Sequence, residues 1–361
     1  MSTVKQPVVG VVSTAVVVAL SLGFVSLFSF PTFTGWVAYF LLCVIPMQIV
    51  VAVTWGANPG FVASLGQPAK GLVLLLTTLA VGVVVAAVSF FTIGGGVNPP
   101  TPMLAMCSIV SVVVTFWAAI MWGGWPLTST IKHPVAAGLL MLVACYLINF
   151  ALFRVFFDYT FMQGAPVYVA AQDPKGLFPA WNALVFYLSC LAAMFLMINF
   201  ELWPLTKSGA VMQQPVLGAV WTLAALALGG AAFVVGVVVL QMDPAAFMVR
   251  VPVPFIFGTI VVQNMLKGSL FAKHAQPVKG LLNTAAVIAI GESLAWMYGT
   301  LAPLVTGSVR PGPPTYDFEI WLASALLSVT FPLLIFSAEF FQFWPLAESP
   351  APPSAVASNL H

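Results

Sequence analysis

Apolar runs of about twenty residues, broken by short Pro-, Gly- and Lys-containing stretches, follow one another from Val9 to Leu346. A helix crosses the hydrocarbon of a bilayer in about 20 residues. On that rule the pattern predicts ten spans, near 9–30, 35–56, 71–93, 103–125, 135–157, 180–203, 216–241, 251–269, 279–305 and 319–344. The eighth, "VPVPFIFGTIVVQNMLKGS", is short, starts with two prolines and carries Gln263 and Asn264. The fold class is therefore all-α and polytopic: one transmembrane domain over 1–346, an outer loop at 158–179, and a Pro/Ala/Ser-rich tail at 347–361 expected to be disordered in the cytoplasm.

The punctuation between spans repeats. "GWPLTSTIKHP", "FELWPLTKSGAVMQQP" and "FWPLAES" share Trp-Pro-Leu, and "QPAKG" and "QPVKG" share a Gln-Pro start. Proline ends a helix because it lacks an N–H, yet it is tolerated in a helix's first turn. The restarts at Pro68, Pro134, Pro215 and Pro277 lie 66, 81 and 62 residues apart, the longest interval holding the outer loop. The unit is a hairpin of two spans. Spans 2–3, 4–5, 6–7 and 8–9 are four copies, flanked by spans 1 and 10, and an even-span unit repeats in parallel. The plainer alternative is that any helical hairpin needs Trp, Pro, Lys and Gly at its turn.

Composition removes other classes. The chain is 61% hydrophobic and 6% charged, with mean hydropathy +1.07, whereas a soluble domain carries about 25% charged residues. The chain cannot cover a water-facing surface, so its first partner is the lipid bilayer. Net charge +2 leaves no basic field for nucleic acid. Cys43, Cys107, Cys145 and Cys190 sit within apolar runs without a C-x-x-C pair and read as small buried hydrophobes. The start, with one Lys and a long apolar run, reads as a first span and not a signal peptide.

Charge also sets orientation. With the N-terminus inside, Lys5, Lys70, Lys132, Lys207, Lys267, Lys273 and Lys279 fall in the cytoplasm, and Arg154, Lys175, Arg250 and Arg310 fall outside. Seven cations against four follows the positive-inside rule and predicts N-in and C-in. Asp158, Asp173, Asp243 and Asp317 all fall outside. Trp55, Trp125, Trp203 and Trp344 mark inner ends, and Trp36, Trp181 and Trp321 outer starts, as interfacial belts would. We expect a multi-pass protein of a bacterial inner (cytoplasmic) membrane.

Chemistry is sparse. His133, His274 and His361 all lie outside the spans, so no haem or metal ligand set is expected within the bundle, and no cofactor. No Walker motif, Ser-His-Asp order or H-E-x-x-H occurs, and the Gly triplet at 94–96 follows no strand. Ionisable groups at bilayer depth mark function by default. Glu292, near the middle of span 9, suits a proton-coupled step or a hydrogen bond to a polar solute. Its structural alternative is a carboxyl bonded to another helix. Trp296, four residues on, shares its face, whereas Asn283 and Tyr298 do not. Glu201 and Glu339 lie near inner ends, as pathway groups or as interfacial carboxylates paired with Lys207 or a neighbouring loop Lys. Arg154 reads as an i,i+4 partner of Asp158, or as a cation meeting an anionic solute at the outer mouth. Gln263 and Asn264 are candidates for a polar pathway at a broken helix, while Gln48, Asn149 and Asn199 suit interhelical hydrogen bonds. The half-apolar loop 158–184 reads as a lid, or as a loop packed on helix ends.

The first functional reading is a permease or secondary transporter of a small organic solute, proton-coupled through an intramembrane carboxylate. The second is a non-catalytic membrane subunit or scaffold of a larger complex, with a homo-oligomer or partner subunit. An intramembrane enzyme would need paired catalytic groups at one depth, and no such pair can be assembled. We therefore read the chain as not an enzyme.

Overall fold

A computed structural model describes residues 5–347. The predicted tail, from 348 onward, lies outside the described residues. Among the described residues ten helices are long and apolar enough to span a membrane: α1 Val8–Val25, α2 Phe30–Thr54, α3 Ala69–Thr92, α4 Pro102–Met121, α5 Pro134–Phe156, α6 Ala180–Asn199, α7 Val216–Val239, α8 Pro244–Met265, α9 Val278–Val305 and α10 Asp317–Phe340. The only strands among the described residues are β1 (Phe157–Asp158) and β2 (Phe178–Pro179), paired in parallel.

The helices sort into two layers. In the even-numbered helices 56–78% of the apolar window is buried, against 17–39% in the odd-numbered ones. The even helices form a closed inner ring: α2 touches α4, α4 touches α6, α6 touches α8, α8 touches α10, and α10 returns to α2. Each odd helix lies outside, across the groove between two inner ones. Thus α3 packs on α2 and α10, α5 on α4 and α2, α7 on α6 and α4, and α9 on α8 and α6. Helix α1 packs on α10 and α8. The two terminal helices therefore take the places that a hairpin takes elsewhere in the ring.

Aromatic side chains pack between the inner helices. Phe116 of α4 meets Phe195 of α6 edge-on at 5.4 Å and Phe331 of α10 at 6.0 Å. All three are buried. Because lipid is as apolar as the core, helix association here rests on close packing. Helices α8 and α9 make the tightest contact. A Cβ on Gly258 would stand 2.1 Å from the Val287 carbonyl oxygen, and one on Gly291 2.1 Å from that of Pro254.

Helix α8 departs from the sequence expectation. It begins at Pro244, with Asp243 capping the Ala246 N–H at 3.0 Å. It is a full-length span with a break at Val251 (φ −126°, ψ −75°), before Pro252. The Asp cap and first turn carry it across a proline that composition alone reads as a start. The tryptophan belts are also incomplete. Trp55 is buried, and so is Trp321, whose indole N–H donates to Thr306 Oγ1 at 2.7 Å. These two rings serve helix packing and not the headgroup layer.

The loop between α5 and α6 packs on helix ends. Buried Gln172 donates to the Gly94 carbonyl at 2.6 Å and accepts from the Thr101 hydroxyl, joining the end of α3 to the start of α4. Asp173 takes the N–H groups of Tyr159 and Lys175 and the Tyr168 hydroxyl.

Candidate functional site

The repeated Gln-Pro punctuation has a common geometry. Gln6, Gln67 and Gln214 each stand just before an outer helix and donate from Nε2 to the last turn of an inner helix: Met265 O at 3.1 Å, Phe340 O at 2.6 Å and Met121 O at 2.8 Å. Helix C-termini leave carbonyls without intrahelical partners, and these amides supply the missing donors. The Gln67 and Gln214 carbonyl oxygens then accept the N–H of the glycine four residues on, Gly71 and Gly218, at 3.2 and 3.1 Å. One side chain thus stitches an outer helix start to an inner helix end. At α5 the motif changes to His133, whose Nδ1 accepts the Ala136 N–H at 3.4 Å.

The inner ends share a second feature. Four of the five close in a π turn (Val50–Thr54, Trp117–Met121, Val261–Met265, Phe336–Phe340), the exception being α6. Each of the five then places two residues at positive φ: Gly56–Ala57, Gly123–Gly124, Glu201–Leu202, Lys267–Gly268 and Gln342–Phe343. Backbone N–H groups fold back to close these ends, as from Ala57 to Val51 O at 2.8 Å and from Phe343 to Ser337 O at 2.8 Å.

Four of the predicted site residues gather at this side of the ring, around α6, α8 and α10. Gln263 Nε2 donates to Asn199 Oδ1 at 2.9 Å, and Asn199 Nδ2 donates to Thr259 Oγ1 at 3.3 Å. Asn264 Nδ2 donates to Glu339 Oε1 at 3.1 Å, and Lys267 Nζ meets the same oxygen at 2.6 Å. Glu201 pairs with Lys279 and accepts from Gln276 Nε2 at 3.3 Å. Here Gln276 caps a side chain where its counterparts cap a main-chain carbonyl, because α6 lacks the π turn. Lys279 beside it holds the Glu201 carboxyl below the usual carboxylate range. Lys207, the sequence candidate for these carboxylates, instead stands over the Trp203 ring at 5.3 Å.

The other three predicted residues lie apart. Arg154 is exposed and makes no ion pair with Asp158. Helix α5 ends at Phe156, so Asp158 lies in β1 without i,i+4 geometry, and its carboxylate accepts from Thr160 N–H and Oγ1 at 3.2 and 2.6 Å.

Glu292 and Trp296 point away from the ring. The buried stripe of α9 is Gly280, Asn283, Val287, Gly291, Ala295, Tyr298 and Ala302. Glu292, Ser293, Trp296 (73% exposed) and Thr300 occupy the opposite face. Glu292 has neither a hydrogen-bond nor an ion-pair partner among the described residues. The other outer helices present no such group midway along. The exposed positions of α1 and α7 are wholly apolar or Gly/Ala, and α3 and α5 add only Thr92 and Arg154 near their ends. Only α9 exposes a carboxylate midway along.

Sequence reading missed several groups. Glu319 is buried, with both carboxylate oxygens on the Gly312 N–H at 3.1 Å. Tyr316 donates to Asp243 Oδ2 at 2.8 Å. Burial, and then that bond to Asp243, push the Tyr316 hydroxyl up to about 12. The positive φ of Tyr316 (53°) and the loop that folds Gly312 back onto α10 are tertiary features with no local signal. Comparison of the chain with protein-family models, with curated proteins and with solved structures finds no match to any of the three.

Proposed function

We propose that this protein is a non-catalytic subunit of a membrane complex, and that it docks in the bilayer through the outward face of α9. The observation that carries this reading is Glu292. It stands midway along a membrane-spanning helix, on the outward face, without a partner among the described residues. A carboxyl at that depth is costly, by about 2.5 kcal/mol or more. Its cost falls when a neighbouring helix supplies a hydrogen-bond donor. Ser293, Trp296 and Thr300 extend the same face and give such a helix further polar and aromatic contacts. The occupant is a membrane-spanning helix of another polypeptide carrying a donor or a cation at mid-bilayer.

The buried contacts of Phe116 with Phe195 and Phe331 support the same reading, since they fill space between three of the inner helices. Purifying the wild type and Glu292→Leu in mild detergent tests it. The wild type should migrate as a complex larger than one chain, and Glu292→Leu as the single chain with an unchanged melting temperature. Equal migration of both would sink the proposal.

A second reading, a permease for a small organic solute, is favoured by the chain Gln263–Asn199–Thr259 and the cluster Asn264–Glu339–Lys267 at one end of the ring. Solute-dependent stabilisation of the purified protein, weakened in Gln263→Leu, would support it. Both readings keep the orientation N-in and C-in, the parallel hairpin repeat, and a bacterial inner membrane.

A further inference from the structure

A cavity of about 230 Å³ is lined by the outer helices α3 and α5 and by α2 and α4 beneath them. Its floor is Cys43 of α2 with Cys107, Ser108 and Ser111 of α4, and its α5 wall is Tyr146 and Asn149. Val84 and Val88 of α3, both exposed to the lipid side, form its rim.

Most polar groups here are already engaged. The Ser108 and Ser111 hydroxyls donate to Leu104 O and Ser108 O on their own helix, at 3.0 and 2.6 Å. Asn149 Nδ2 donates to Cys107 Sγ at 3.6 Å. Two groups are left over: Asn149 Oδ1 and the Tyr146 hydroxyl have no partner among the described residues. Asn149 is only 4% exposed. The two residues are three apart and so share one helix face. An unpartnered polar atom within hydrocarbon costs several kcal/mol. What sets this pair apart is that the cavity beside it opens at Val84 and Val88, on the outward face of α3.

A hydroxyl is both a donor and an acceptor, the two functions that an amide oxygen and a phenol O–H leave open. Neither cation nor carboxylate lines the cavity, which disfavours charged headgroups. Ligand pockets that enclose a whole drug-sized molecule run from about 300 Å³ upward, so only the hydroxyl-bearing end fits inside. We propose that this cavity binds a bilayer-dissolved alcohol, whose uncharged hydroxyl enters between α3 and α5 while its hydrocarbon stays in lipid.

The test uses the full chain in phosphatidylcholine nanodiscs. The probe is a long-chain alcohol with a photoreactive diazirine near the hydroxyl, and the control is its methyl ether. The alcohol should label peptides of α3, α4 or α5, compete with unlabelled 1-hexadecanol, and exceed the ether by roughly fivefold. The double variant Tyr146→Phe/Asn149→Leu should lose that excess. Val88→Trp, at the exposed rim, should block labelling without touching the polar pair. It carries the test if the double variant fails to fold. Equal labelling by alcohol and ether, or full labelling in Val88→Trp, overturns the proposal.

Discussion

Gln67 Nε2 donates to the carbonyl oxygen of Phe340 at 2.6 Å, binding the first turn of α3 to the last turn of α10 across 273 residues of chain. Its other amide atom holds the Gly71 N–H. Gln67→Leu removes both bonds and leaves a half-buried carbonyl unpaired. The expected loss is about 1–3 kcal/mol, read as a lower melting temperature. Gln276→Leu should cost less, because its acceptor is the exposed Glu201 carboxylate, which keeps Lys279 and water.

Strain at the inner helix ends gives the opposite sign. Ala57 is held at φ 50°, and a left-handed backbone costs a residue with a Cβ about 1–2 kcal/mol. Ala57→Gly removes that cost and adds unfolded-chain entropy. We expect a net gain of about 0.5 kcal/mol, measurable as a small rise in melting temperature. A fall would mean that the Ala57 methyl group contributes more through packing than its backbone costs.

Helix α8 meets α9 backbone to backbone at Gly258 and Gly291. Gly258→Leu has no flexible neighbour to displace and should prevent stable folding. Leu281→Ala, on the outward face of the same α9, should change the melting temperature little. Purification yield and a melting scan separate the two.

The Glu201–Lys279 pair sets a pH dependence. Its folded-state proton affinity lies below that of a free Glu, which titrates near pH 4.3. The stabilisation is therefore present above that pH and lost as pH falls through the lower folded value. Glu201 is 54% exposed at its side chain, so solvent screening keeps the effect small. Melting temperatures between pH 3 and pH 6 should fall less steeply in Glu201→Gln than in the wild type. Parallel curves would contradict this assignment.

These cases show how much the sequence could say. Nine of the ten spans start within about five residues of their predicted positions, because length and hydropathy alone decide what crosses hydrocarbon. The exception, α8, starts seven residues early, since the Asp243 cap and the helix bend at Val251 have no hydropathy signal. The Gln-Pro stretches are visible as text. The stitching of Gln67 to Phe340 is not, because the partner is a main-chain carbonyl that any residue could supply. Helical spacing places Glu292 with Trp296, yet which face looks outward depends on where α8 and α6 lie. The partners of Glu201 and Glu339 were legible only as nearby lysines. Lys279 and Lys267 are selected by the ring and not by sequence distance.

Crosslinking from the residue beside Glu292 reports whether a partner helix covers that carboxylate. A photoreactive benzoylphenylalanine at Trp296, one turn from Glu292 and 73% exposed, would be irradiated in native membranes. One discrete protein adduct is expected at α9, lost when Glu292→Leu is added, with no adduct from the same group placed at Leu223 on the apolar face of α7. Labelling of lipid alone at position 296, or an adduct indifferent to Glu292, would contradict that expectation.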